Sequence, residues 1–192
     1  MEAIKEATIG KRKLSVVYDE CPASPREGDS LGKMVCWHHK YSLGDKHDYK
    51  TPHDFHASDE YKDIVIKLPL RLYDHSGISM STTKDYPFND QWDSMQVGYI
   101  FVTKEHMVKE YGKDWQADGK LEIATKVLLG EVETYDQYLR GQVFGYILEK
   151  VVECDSCRHI DYDVEDSCFG YYAISDIAND VPDEFKQMVK SI

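Results

Sequence analysis

Gln96-Val-Gly-Tyr-Ile-Phe-Val-Thr103, followed closely by Leu121-Glu-Ile-Ala-Thr-Lys-Val-Leu-Leu-Gly-Glu-Val-Glu-Thr-Tyr-Asp-Gln-Tyr-Leu139, decides the fold class. The first stretch is dense in β-branched and aromatic residues, which suit a pleated, buried surface, and it predicts a strand. After Thr103 the period changes. Thr103 predicts the N-cap of a short helix running through Tyr111, with Gly112 as its stop. In the second stretch Ala124, Val127, Leu128, Tyr135, Tyr138 and Leu139 recur at spacings of three, four and seven, the stripe of an amphipathic helix over 121–139. Arg140-Gly141 closes it with a cation and then a glycine, as a helix C-terminus prefers. Gly130 inside it costs about 1 kcal/mol relative to Ala and marks a possible break.

Strand-like runs surround this helix. Lys13–Tyr18 predicts a strand that ends in a loop punctuated by Pro22, Pro25 and Gly28. Lys33–His38 predicts another. The polar stretch Tyr41–Lys62 is long for a structureless loop and predicts either a hidden helix or a functional segment. Asp63–Asp74 alternates through Leu68, Leu70 and Leu72, and Pro69 pushes that part toward a sheet edge. Asp74-His-Ser-Gly77 predicts a turn, with Ile78–Thr83 continuing as a strand. Gln142–Val152 is a further strand, Tyr162–Tyr172 reads as loop plus strand, and Pro182 opens a last helix that packs Phe185, Met188 and Val189. The elements come in blocks without regular βαβ alternation. That pattern predicts an α+β fold, mainly antiparallel sheet, with one longer helix and a short C-terminal helix. The length of 192 residues predicts a single domain over 1–192, with 142–192 as a candidate C-terminal subdomain.

Charge is distributed unevenly. The formal net charge is −12, and residues 131–184 hold only Arg140, Lys150 and Arg158 against 14 acids, a local net of −11. Such a surface repels nucleic acid and attracts basic partners, so no direct nucleic-acid binding is expected. The 12% aromatic content argues against disorder. No apolar run approaches the roughly 20 residues of a membrane helix, so no membrane role is expected. Met1-Glu-Ala-Ile-Lys-Glu6 lacks the basic flank and apolar stretch of a signal peptide, and five Cys suit a reducing compartment. Both features predict a cytoplasmic protein.

Several motifs recur in an order that is familiar. They are Ser24-Pro-Arg-Glu-Gly-Asp-Ser-Leu-Gly32, Leu72-Tyr-Asp-His-Ser-Gly-Ile78, Trp92-Asp-Ser-Met-Gln-Val-Gly98, Val102-Thr-Lys-Glu105 with Glu110-Tyr-Gly112, and Gly130–Leu139. Together they resemble a family of hypothetical proteins from bacteriophages and other mobile elements, across most of the chain. The chain departs from that pattern at Gly28, where Trp is usual, and at Met95, where Gly is usual. The resemblance implies an accessory protein of phage type in a bacterial host and supplies no catalytic residues. Small acidic accessory proteins of phages commonly block host defence systems, CRISPR nucleases included, which is an association and not a mechanism.

Two clusters invite metal. His47, His53 and His56 lie among Asp45, Asp48, Asp54 and Asp59, and imidazole with carboxylate suits Zn, Mn or Fe. No H-E-x-x-H framework accompanies them, and a solvated polar loop is the simpler reading. Cys154-x-x-Cys157 can grip structural zinc, with His159 or Cys168 completing four ligands. The spacing lacks the second C-x-x-C of a finger, and ordinary thiols are the simpler reading there. Asp74-His75-Ser76 carries the residue types of a hydrolase triad, but a triad is recognised by geometry and not adjacency. No P-loop or dinucleotide fingerprint is present.

The acidic stretch is either solvated surface or a docking face. Glu131, Glu133 and Asp136 would project from the helix, and Asp161, Asp163, Glu165 and Asp166 from the strand–loop. Tyr162, Tyr171 and Tyr172 sit among them, and such aromatics suit an interface that meets Lys and Arg. The leading expectation is a non-enzymatic inhibitor that docks this face on a host defence protein with a basic nucleic-acid-binding groove, a CRISPR nuclease being one. The alternative is a metal-dependent enzyme acting on a nucleotide or nucleic acid through the His/Asp-rich 45–60 loop.

Overall fold

Antiparallel hairpins build the molecule. The computed structural model describes residues 2–82, 94–117 and 119–192. Its first half contains β1 (Ala3–Ile9), β2 (Arg12–Tyr18), β3 (Lys33–Cys36), α1 (Pro52–Ala57), α2 (Asp59–Lys62), β4 (Ile64–Asp74) and β5 (Ile78–Ser81). There follow β6 (Ser94–Thr103), α3 (Lys104–Tyr111), α4 (Lys120–Leu139), β7 (Phe144–Glu153), β8 (Ile160–Tyr171), α5 (Ile174–Ile177) and α6 (Asp183–Val189). The class is α+β, with two four-stranded sheets whose strand pairs are all antiparallel. Trp92-Asp93 of the resemblance motif and Thr83 of the expected strand Ile78–Thr83 lie outside the described residues. No helix among the described residues is long and apolar enough to cross a membrane.

The chain divides into two compact units, Met1–Ala23 with Gly141–Ile192, and Ser24–Arg140. The expected subdomain over 142–192 is therefore part of a unit that also takes the first 23 residues. In that unit the strand order is β1-β2-β7-β8. Alternation along β2 and β7 sends Leu14, Val16, Tyr146 and Leu148 to one face, where Ile177, Val181, Phe185 and Val189 from the α5–α6 region cover them. Strand β1 had no clear sequence signal, because its Lys5-Glu6 pair interrupts the alternation of apolar residues.

The second unit orders its strands β3-β6-β4-β5 and packs α4 against them. Ala124, Leu128, Val132 and Tyr135 form the buried stripe of α4, and the helix runs through Gly130 without a break. Val127, expected in that stripe, is exposed. Thr103 caps α3 by accepting from the His106 N–H, and Gly112 ends it at φ +82°. The polar stretch hides two short helices, each with a side-chain cap: Thr51 accepts from Asp54 N–H, and Ser58 from Tyr61 N–H. Pro69 sits opposite Tyr99 of β6, while β5 pairs only Arg71–Asp74. Among the described residues no strand pairs with β4 at Pro69 on the side away from β6, so no donor is missed there.

Gly98 carries the tightest approach in this unit. A Cβ there would stand 1.9 Å from the Val35 carbonyl oxygen and 2.9 Å from Cys36 Cα. Both contacts are backbone, so only separation of β3 from β6 relieves them. Gly98→Ala is expected to destabilise the unit at the upper end of the roughly 1–3 kcal/mol of overpacking, read as a lowered midpoint of urea unfolding.

Candidate functional site

Strand β8 gathers the acids. It leaves β7 through the turn 154–159 and pairs with it from Glu153↔Ile160 to Phe144↔Tyr171. Its other edge pairs with no strand among the described residues, since β8 ends the order β1-β2-β7-β8. Eleven of its twelve residues are exposed. The pleat alternates Asp161 and Asp163 with Ile160, Tyr162 and Val164. A bulge where the register shifts, between Leu148↔Asp166 and Glu149↔Val164, inserts Glu165 as the extra residue. Without it, Asp166 would fall on the opposite face from Asp161 and Asp163. With it, Asp166 reaches Tyr146, whose hydroxyl donates to Asp166 Oδ2 at 2.7 Å. Glu165 reaches Arg12, with Nε to Oε2 at 2.7 Å. Tyr146 and Arg12 both belong to the sheet face that carries the core, because they alternate in phase with Leu148 and Leu14. All four carboxylates thus line one face of β8. The other face carries apolar side chains, with Ile160 51%, Tyr162 45%, Val164 62% and Phe169 39% exposed.

Electrostatics on this strand follow from these contacts. The hydrogen bond and charge of Glu165 hold the Arg12 guanidinium pKa above its ordinary value, and Glu184 of α6 adds to it. Burial, then the Asp166 bond, raises the Tyr146 hydroxyl. Burial, then the bond its hydroxyl donates to Asp180 at 2.6 Å, likewise raises Tyr171. Tyr171 is thus turned inward onto its own unit, and Tyr172 is half-buried. Of the three tyrosines Tyr162 is the one that stays exposed, with Lys13 Nζ 5.2 Å from its ring centroid. Phe169 lies over Gly145, where a Cβ would stand 2.3 Å from its Cδ1, so the glycine makes room for the ring.

The helix acids belong to the other unit. Glu131 accepts from the Leu31 N–H at 2.7 Å and pairs with Arg26 at 3.0 Å. Asp136 accepts from the Met80 N–H, within β5, at 2.7 Å. These two carboxylates hold the second unit together and do not project as a docking face. Glu133 is exposed, but it too belongs to the second unit.

The expected zinc set is not assembled. Cys154, Cys157 and His159 share the hairpin turn, whereas Cys168 sits opposite Tyr146, eight residues beyond Ile160, or roughly 25 Å along an extended strand. No three metal-ligating side chains converge among the described residues. The 45–60 loop fares alike. Three of the four Asp named there are engaged elsewhere: Asp45 with Arg26, Asp54 at the Thr51 cap and Asp59 with Lys62. His47 Nε2 lies 3.0 Å from the Cys36 carbonyl, and its ring stands edge-on to Trp37. Asp74-His75-Ser76 is a turn, with Ser76 at φ +57°, and the Asp74 carboxylate accepts from the Tyr41 hydroxyl.

The cysteines differ sharply in chemistry. Burial pushes the Cys36 thiol up to about 12, aided by the Asp45 charge. Hydrogen bonds from the backbone N–H groups of Cys157 and Ser156 hold exposed Cys154 below its ordinary value. Because the thiolate is the nucleophile, iodoacetamide at neutral pH is expected to label Cys154 first and Cys36 only on unfolding. Peptide mapping over a time course reads that order.

Comparison with protein-family models, with curated proteins and with solved structures finds no match.

Proposed function

We propose that the protein is a non-catalytic binding module that docks a cationic partner along β8. The observation that carries the reading is the strand itself. It has an open backbone edge, four carboxylates on one face and four apolar side chains on the other. An open edge of this length is a template for another strand, and its acids and the Glu165 bulge restrict which strand can add. Here the backbone edge would supply hydrogen bonds, the apolar face buried area, and the acids selection for Lys and Arg. The partner class that fits is a protein with a basic nucleic-acid-binding groove. In the bacterial setting implied by the resemblance, a host defence protein such as a CRISPR nuclease meets that description, and occupying its groove would inhibit it.

The test is capture from bacterial lysate on the immobilised full chain at low and high salt. A stoichiometric partner that releases as salt rises, and that Val164→Pro on the β8 edge no longer captures, supports the reading. A partner held equally well by Val164→Pro, or capture indifferent to salt, removes it.

A further inference from the structure

The tip of the β7–β8 hairpin is built as half of a tetrahedral thiolate site. The turn is closed by Cys154 N–H donating to the His159 carbonyl at 2.8 Å and Arg158 N–H donating to the Cys154 carbonyl at 2.9 Å. Arg158 adopts φ +60°, one of only two non-glycine residues in the left-handed region among the described residues. Within this turn the backbone N–H groups of Cys157 and Ser156, and the Cys157 thiol, hydrogen-bond the Cys154 sulfur. Donors aimed at one sulfur are what a metal-bound thiolate requires, since its remaining negative charge needs partners beyond the metal. Both thiols are exposed. Zinc in a structural site takes four ligands, and C-x-x-C supplies two.

We infer that Cys154 and Cys157 form a zinc half-site completed by the same pair from a second copy of this chain, giving a Zn(Cys)4 link between two hairpin tips. The donor count requires the second copy. Cys168 is a strand's length away, and no third ligand converges on the turn. A two-fold arrangement of identical tips supplies four thiolates with no further element. On binding, each thiol loses its proton to solvent and each sulfur donates a lone pair to Zn²⁺, with no change of oxidation state. Arg158, next to Cys157 in the chain, is exposed and pairs with Glu153 at 3.1 Å.

The site is independent of the docking proposed for β8, and salt separates the two. Joining two acidic tips is opposed by like-charge repulsion from Glu153 and Asp155, so screening favours the zinc link while it weakens docking of a cation. The experiment titrates the full-length, fully reduced chain with Zn²⁺ and follows mass by light scattering and native mass spectrometry. Co²⁺ serves as the optical probe. The expected result is one metal per two chains and a doubling of the 22.2 kDa mass. Thiolate-to-cobalt charge transfer and tetrahedral d–d bands should accompany it. Cys154→Ser and Cys157→Ser should each abolish all three signals, whereas Cys21→Ser and Cys168→Ser keep them. One metal per chain without doubling, doubling that survives Cys154→Ser, or oxidation of the pair to a disulfide with no metal uptake after reduction would each overturn the proposal.

Discussion

Reversing Asp161, Asp163, Glu165 and Asp166 to Lys is expected to abolish capture of the partner while the β1-β2-β7-β8 sheet stays folded. Each reversal exchanges an attraction for a repulsion on a single strand face. At about 1 kcal/mol for an exposed pair, four acting together amount to roughly three powers of ten in affinity. Most of the change should appear in the association rate, and its slope against salt should flatten. Three of the four substitutions leave the fold alone. Asp161 and Asp163 are exposed, and the Arg12 released from Glu165 keeps Glu184 at 3.4 Å. Asp166 differs, because the buried Tyr146 loses its hydroxyl acceptor, at about 1–3 kcal/mol. The triple variant that retains Asp166 separates charge from stability. If it binds like the parent chain under low salt, the acidic face of β8 is not the docking surface.

Removing Arg26 is expected to be the most damaging single substitution in the second unit. Its side chain is 5% exposed and grips Asp45 with two hydrogen bonds of 2.8 Å, Glu131 at 3.0 Å and the Gly32 carbonyl at 2.6 Å. Burial disfavours the guanidinium charge, yet Asp45 and then Glu131 outweigh it and hold the pKa above its ordinary value. Arg26→Ala leaves two carboxylates facing each other with no cation, a loss of about 3–5 kcal/mol. Arg26→Lys restores the charge without the planar fork and should recover only part of it. All three Trp lie between residues 24 and 140, so Trp fluorescence during urea unfolding reports this unit. A midpoint unchanged in Arg26→Ala would show that the triad contributes no net stability.

Arg26 also marks the limit of reading acids from their density. Glu131 and Asp136 are as acidic in sequence as Asp161 and Asp163. Their cationic or N–H partners lie 105 residues away at Arg26 and 56 away at Met80. No local pattern in 131–139 distinguishes a carboxylate that braces a loop from one that faces solvent. Asp45 misleads in the same way, because its neighbours in sequence include His47 while its partner in space is Arg26, 19 residues away. Cys168 fails as a metal ligand for the complementary reason. Eleven residues make a short gap in a loop, but in a continuous strand they span most of the sheet.

What the amino-acid order alone determined was local. Period two and period 3.6, Thr103 and Gly112 as caps, Pro69 as a donor-free residue, and the crowding of acids after residue 131 are all set by neighbours within a turn or a pleat, and they specify elements and the α+β class. The tertiary structure alone decided which carboxylates are free. It decided the return of the first 23 residues to the C-terminal unit, the bulge at Glu165 that brings Asp166 onto the face of Asp161 and Asp163, and the open edge of β8. A carboxylate's role depends on which cation or N–H the fold carries to it, and a strand's edge is open only when the whole sheet order leaves it so. Neither quantity exists until distant segments have packed.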